Sequence, residues 1–108
     1  MRLGGPVFEK NLNPESWTAA LKRAGYSAAY CPVDEKAPQE LVRDYARAAQ
    51  QAGIVIAEVG AWSNPLSPAA EAARKALAHN QERLALAEHI GARCCVNISG
   101  SRGQDWAG

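Results

Sequence analysis

Four short apolar runs alternate along the chain with three longer amphipathic stretches, and each amphipathic stretch ends in a glycine. The runs are Leu3 to Phe8, Ser27 to Val33, Ile54 to Gly60 and Arg93 to Ser99. They are rich in Val, Ile, Cys and Tyr, and too apolar to keep one face in water, which predicts parallel strands covered by helices. Between them, Asn13 and Pro14 provide a cap and a first helical position, with Trp17, Ala20, Leu21 and Ala24 on one face before Gly25. Pro38 opens a second helix whose stripe is Leu41, Val42, Tyr45, Ala49 and Ala52 before Gly53. Ser67 and Pro68 open a third, with Ala73, Leu77, Leu84, Ala87 and Ile90 before Gly91. The expected fold class is α/β, a parallel β-sheet with alternating helices in the order βαβαβαβ and right-handed crossovers. Gly100 to Gly108 reads as a tail without an element.

The chain has 108 residues, enough for a single domain over 1–108 with a modest core. A complete eight-stranded α/β barrel takes about 250 residues. Twelve Lys plus Arg against eleven Asp plus Glu leave a net charge of +1. Because those charges are interspersed, no nucleic-acid partner is expected. No apolar run reaches bilayer-spanning length and the start resembles no targeting peptide, so a soluble, cytoplasmic protein without a membrane partner is the expectation. Cys31, Cys94 and Cys95 form an odd set without C-x-x-C spacing and read as small buried strand residues.

The stretch from Ile54 to Asn64 carries most of the candidate chemistry. It begins as a β-branched run, admits one carboxylate, and ends in a glycine, an indole and an amide before Pro65. Glu58 is the only carboxylate inside a strand candidate. Burial of an ionised group costs several kcal/mol, on the order of 2–5, unless it is paired. It therefore either hydrogen-bonds a ligand or forms a structural ion pair with a basic residue of another strand. Trp62 lies just past the strand end, where it either walls a ligand or covers the core. Asn64 before Pro65 initiates a turn or donates to a hydroxyl.

Asn97 shares a strand face with Cys95 and Ser99 by period two, and either orients a diol or is a satisfied sheet amide. Gly100-Ser101-Arg102-Gly103 is an ordinary loop or a phosphate cradle. His79 and His89 are ten positions apart in one helix, which separates them to different faces and predicts surface or interface histidines rather than metal ligands.

Three segments together resemble a known family: Glu58-Val59-Gly60-Ala61-Trp62-Ser63-Asn64-Pro65, then Leu86-Ala87-Glu88-His89-Ile90-Gly91-Ala92-Arg93, then Val96-Asn97-Ile98-Ser99-Gly100. They look like strands three and four of the xylose-isomerase-like TIM barrels, the sugar phosphate isomerases and epimerases, and the resemblance covers nearly the whole chain. It implies the first half of a (β/α)8 barrel. It also implies a divalent metal (Mn, Mg, Co or Zn) and a sugar or polyol substrate, with proton transfer through an ene-diolate. In the epimerase branch the metal ligands and proton-transfer glutamates reside on strands five to eight, so no catalytic or metal-binding residue carries over to this chain. Glu58, Trp62 and Asn97 are the candidate substrate-binding residues.

Two other readings remain. A small doubly wound α/β domain would bind a nucleotide, but the first strand-helix turn lacks G-x-G-x-x-G, and strand order separates it from a barrel arc. A non-catalytic half-barrel would leave two open edges and a bare inner face, inviting a complementary half-barrel or a second copy. A homo-oligomer is therefore expected, and a strictly monomeric mass by light scattering at micromolar concentration would count against it.

Overall fold

The structure, a computed structural model, describes residues 1–103; the remainder of the expected tail, 104–108, lies outside the described residues. Seven elements follow one another: β1 (Gly4–Gly5), α1 (Pro14–Arg23), β2 (Ala28–Tyr30), α2 (Gln39–Ala52), β3 (Val55–Ala61), α3 (Ala70–Ile90) and β4 (Cys94–Asn97). All three strand pairs are parallel, and the strands lie in the sheet in the order β1-β2-β3-β4. The fold is α/β in the predicted βαβαβαβ order. A doubly wound sheet needs a point where strand order reverses, and here there is none. The arrangement is that of a barrel arc.

Local chemistry explains the boundaries. The Asn13 side chain accepts from Ser16 N at 2.8 Å while Ser16 Oγ accepts from Asn13 N at 2.8 Å, a reciprocal cap in front of α1. Gly53 and Gly91 close α2 and α3. The first two strands are shorter than their apolar runs. Pro6 and Pro32 carry no N–H for the ladder, so pairing stops at Gly5 and Tyr30. At the opposite end of the sheet the Arg2 guanidinium donates to Ser27 O at 3.2 Å and Gly53 O at 2.8 Å, fastening the N-terminus across two connections.

One hydrophobic cluster joins all three helices to the sheet: Trp17 and Leu21 of α1, Val42, Tyr45 and Ala49 of α2, and Leu86, Ala87 and Ile90 of α3 meet Ala29, Ile56 and Val59. Right-handed crossovers between strands laid down in sequence order put every helix on the same side. The sheet is thus covered on one face only. The Cα radius of gyration, 15.6 Å, exceeds the roughly 13 Å usual for about 100 residues, as an open, one-sided layer pair requires.

Leu77 and Leu84, assigned by periodicity to the core stripe of α3, are 54% and 61% exposed, whereas Ala76 and Leu86 are buried. The two leucines lie on the flank of α3 that no neighbouring helix covers. The cysteines also depart from expectation: Cys94 is exposed and Cys95 only half-buried, because β4 is an edge strand, and Cys31, just past the end of β2, is half-buried too.

An irregularity in β3 sets which way its residues face. Ala29 pairs with Ile56 but Tyr30 pairs with Glu58, so Ala57 is an extra residue against β2. The buried positions accordingly run Ile54, Ile56, Val59, Ala61 rather than in strict alternation.

Leu21→Ala, at a side chain with no exposed surface, is expected to cost about 2–5 kcal/mol in urea denaturation. Leu84→Ala, measured on the monomer, is expected to stay within about 0.5 kcal/mol of the parent.

Candidate functional site

Beyond the bulge, Glu58, Gly60 and Trp62 share the face of β3 opposite the buried Val59 and Ala61. That face is the uncovered one. The Trp62 indole folds back over Gly60: a Cβ on Gly60 would collide with its Nε1 and Cε2, so only glycine lets the ring lie flat on the strand. The indole remains 62% exposed and Tyr30, across from Glu58 on β2, 54%. With Cys31 and Arg83 these residues line an open depression of about 470 Å³ at the C-terminal ends of β2 and β3. In parallel α/β structures this is the end at which ligands bind.

The Glu58 carboxylate is half-buried and has no hydrogen bond or ion pair with any described residue. The ion pair with a basic residue of another strand is therefore not formed among the described residues. Arg83, the basic residue that lines the same depression, is engaged elsewhere. Its Nε donates to Gly60 O at 2.7 Å and its Nη1 to Glu35 Oε2 at 3.1 Å, with both side chains nearly covered, at 16% and 14% exposed. The other Glu35 oxygen meets His79 Nε2 at 3.1 Å, and His79 Nδ1 lies 3.4 Å from Ser63 Oγ. Ser63 Oγ is also 2.8 Å from Asn80 Oδ1 and 3.2 Å from Ala76 O. The network ties the loop after β2 and the loop after β3 to α3.

Glu35 is the electrostatic centre of this tie. Its carboxyl is held below the ordinary carboxylate range, first by the backbone N–H of Glu35 itself and then by Arg83 and His79, against the opposing cost of desolvation. Sequence reading assigned none of these residues a role, and it left His79 on the surface. The available signal was local: His79 and Arg83 are four apart on one helical face, and Glu35 belongs to the loop that passes it.

A second depression, about 480 Å³, adjoins the first through Tyr30 and Cys31. Its floor is the Trp17 and Tyr45 pair, whose ring centroids are 5.4 Å apart at an interplanar angle of 75°. Burial raises the Tyr45 phenol's pKa, and its hydroxyl donates to Leu12 O at 3.0 Å. Burial likewise pushes up the Cys31 thiol, which keeps it in the poorly nucleophilic form at neutral pH.

The structure brings Glu58 and Trp62 together but sets Asn97 apart. Asn97 pairs with Ala61 and Cys95 with Val59, so the face they share is that of the buried residues, opposite to Glu58. Asn97 is exposed there only because β4 is the sheet edge. Asn64 does initiate the turn, accepting from Leu66 N at 3.1 Å, and it also binds the β4 loop by accepting from Ser101 N at 2.9 Å and donating to Ser101 O at 2.8 Å. Gly100, at φ +90, passes so close to the Asn64 amide that a Cβ would strike its Oδ1. Of the two readings of Gly100-Ser101-Arg102-Gly103, the Ser101 amide that a phosphate cradle would use instead donates to Asn64. Among the described residues there is no group of three or more His, Cys, Asp or Glu side chains that could hold a metal ion.

Stability contributed by Glu35 is complete above its ordinary pKa of 4.5 and is lost as acidification takes the pH down through its lowered folded-state value. Glu35→Gln is expected to lose about 1–2 kcal/mol at pH 7, and the gap between parent and variant in urea denaturation is expected to narrow as the pH is taken below 4.5.

Among the described residues no helix is long and apolar enough to cross a membrane. Compared with protein-family models, with curated proteins and with solved structures, the chain matches none.

Proposed function

We propose that this chain is the N-terminal portion of a cytoplasmic, divalent-metal-dependent sugar or sugar phosphate isomerase or epimerase of the xylose-isomerase-like kind, and that it supplies one wall of the polyol site. The observation that carries this reading is the unreversed parallel order β1-β2-β3-β4 with Glu58 and Trp62 on its uncovered face at the C-terminal end. On an arc of this topology the uncovered face becomes the barrel interior and that end becomes the mouth.

The residues divide the work of binding. The exposed indole offers an apolar surface to the C–H face of a sugar. Glu58, with its lone pairs unused by any described residue, accepts hydrogen bonds from hydroxyls. Arg83 and Glu35 hold the β3 end in place from behind. The metal, when bound in a complete barrel, would polarise a carbonyl and the adjacent hydroxyl. Its ligands and the proton-transfer groups belong to strands beyond β4, and no catalytic step is assigned to the residues of this chain.

A second reading, a non-catalytic half-barrel that self-associates, draws on a different observation. Tyr30, Trp62 and Phe8 are exposed, as are Leu77 and Leu84 on the open flank of α3. Among the described residues β1 and β4 each present one unpaired edge. Parallel sheets are ordinarily covered on both faces, and a second copy is the simplest cover.

The 108-residue protein is expected to bind polyols weakly without turning them over. In an NMR titration with sorbitol the Trp62 indole N–H is expected to shift, and Trp62→Ala to abolish saturation at the neighbouring Gly60 amide. Absence of any shift at Trp62 would remove the polyol wall. Metal-dependent epimerisation of ketohexoses by the purified chain would overturn its incompleteness.

A further inference from the structure

We infer that the depression at the end of β2 and β3 selects polyols bearing a cationic nitrogen, an amino sugar or amino alditol, over their neutral counterparts. The inference rests on the polyol reading for the ligand's skeleton and adds the charge from the electrostatics of the site.

The floor of the depression is a short row across the sheet. Tyr30, Glu58 and Cys94 are register partners on β2, β3 and β4, and neighbouring strands are about 4.8 Å apart. Trp62 stands two residues beyond Glu58, about 7 Å along the strand, with its ring folded back over Gly60 toward the carboxylate. A group seated against Glu58 therefore has an exposed phenol on one side and an exposed indole ahead of it. Aromatic faces attract cations within roughly 6 Å, and both rings line the same depression as the carboxylate.

The charges favour the same sign of ligand. Arg83 is the cation lining the depression, and its guanidinium already spans Gly60 O and Glu35. Glu35 offsets its charge at 3.1 Å. Glu35 meets both Arg83 and His79, and Glu58, with no described counter-ion, is the one unmatched charge among the side chains that line the depression. An anionic ligand would meet an uncompensated carboxylate. An ammonium group neutralises it and replaces the water that hydrates a half-buried anion. A neutral hydroxyl donates one hydrogen bond to Glu58 but brings neither charge nor cation–π attraction.

The test compares sorbitol with 1-amino-1-deoxysorbitol, which differ by one hydroxyl against one ammonium. Both are titrated into the ¹⁵N-labelled full chain at pH 6.5, following the Trp62 indole N–H and the amides of Tyr30, Glu58 and Gly60. The amine is expected to bind at least about tenfold more tightly, which corresponds to about 1.4 kcal/mol, and the margin is expected to shrink in high salt. Glu58→Gln, near-isosteric at a side chain bonded to no described residue, is expected to erase the margin by weakening the amine at least about tenfold more than it weakens sorbitol. Trp62→Leu is expected to weaken both compounds together.

Equal affinity for the two compounds, or a margin that survives Glu58→Gln, would overturn the charge inference and leave the polyol wall standing. No shift at Trp62 with either compound would overturn both.

Discussion

Placing all the helices on one side of a parallel sheet leaves the other side with nothing intrinsic to pack against, and most of this molecule's character follows from that. Strands laid down in sequence order with right-handed crossovers have no alternative. The core is a single apolar layer between Ile56, Val59 and Ala29 beneath and Trp17, Tyr45, Leu86 and Ile90 above. The residues that would face a second layer in a closed barrel are here a tyrosine, a carboxylate, a glycine with an indole laid over it, and an exposed cysteine.

The end of the sheet where ligands would enter is stiffened from behind rather than from within. Arg83 grips the carbonyl of Gly60, Glu35 grips Arg83 and His79, and His79 approaches Ser63. Each link crosses between elements distant in sequence. On the other flank Asn64 performs a similar task with the backbone of Ser101. Between these two ties the Glu58 side chain has no partner among the described residues, and a group so placed is available to whatever enters.

Helices were the most legible part of the chain because their signals are local. Asn13 with Pro14, Gly53 and Gly91 mark ends by chemistry that acts over one turn. Strand lengths were overstated where prolines interrupt the ladder at Pro6 and Pro32. The α3 stripe failed for a different reason: Leu77 and Leu84 have helical spacing, but spacing identifies a stripe without saying whether a neighbour covers it. Glu58 and Trp62 could be found because a carboxylate and an indole at the end of an apolar run are conspicuous. Glu35, His79 and Arg83 could not be joined, since their meeting depends on how a loop lies against a helix nearly fifty residues away. Asn97 was correctly grouped with Cys95 by period two, yet only the register with Val59 and Ala61 reveals which side of the sheet that group occupies.

The extra residue at Ala57 bears on how this segment tolerates change in length. With it, Ile54 and Ile56 before the bulge and Val59 and Ala61 after it all reach the core, although no single alternation links them. Remove Ala57 and the same four residues fall on one regular alternation that keeps Tyr30 opposite Glu58; remove a residue beyond the bulge and every side chain after it changes face. A one-codon deletion at Ala57 would thus be better tolerated than one at Val59 or Gly60, which reassigns inside and outside for the rest of the strand. The orientation of the site is written in the length of β3 as much as in its side chains.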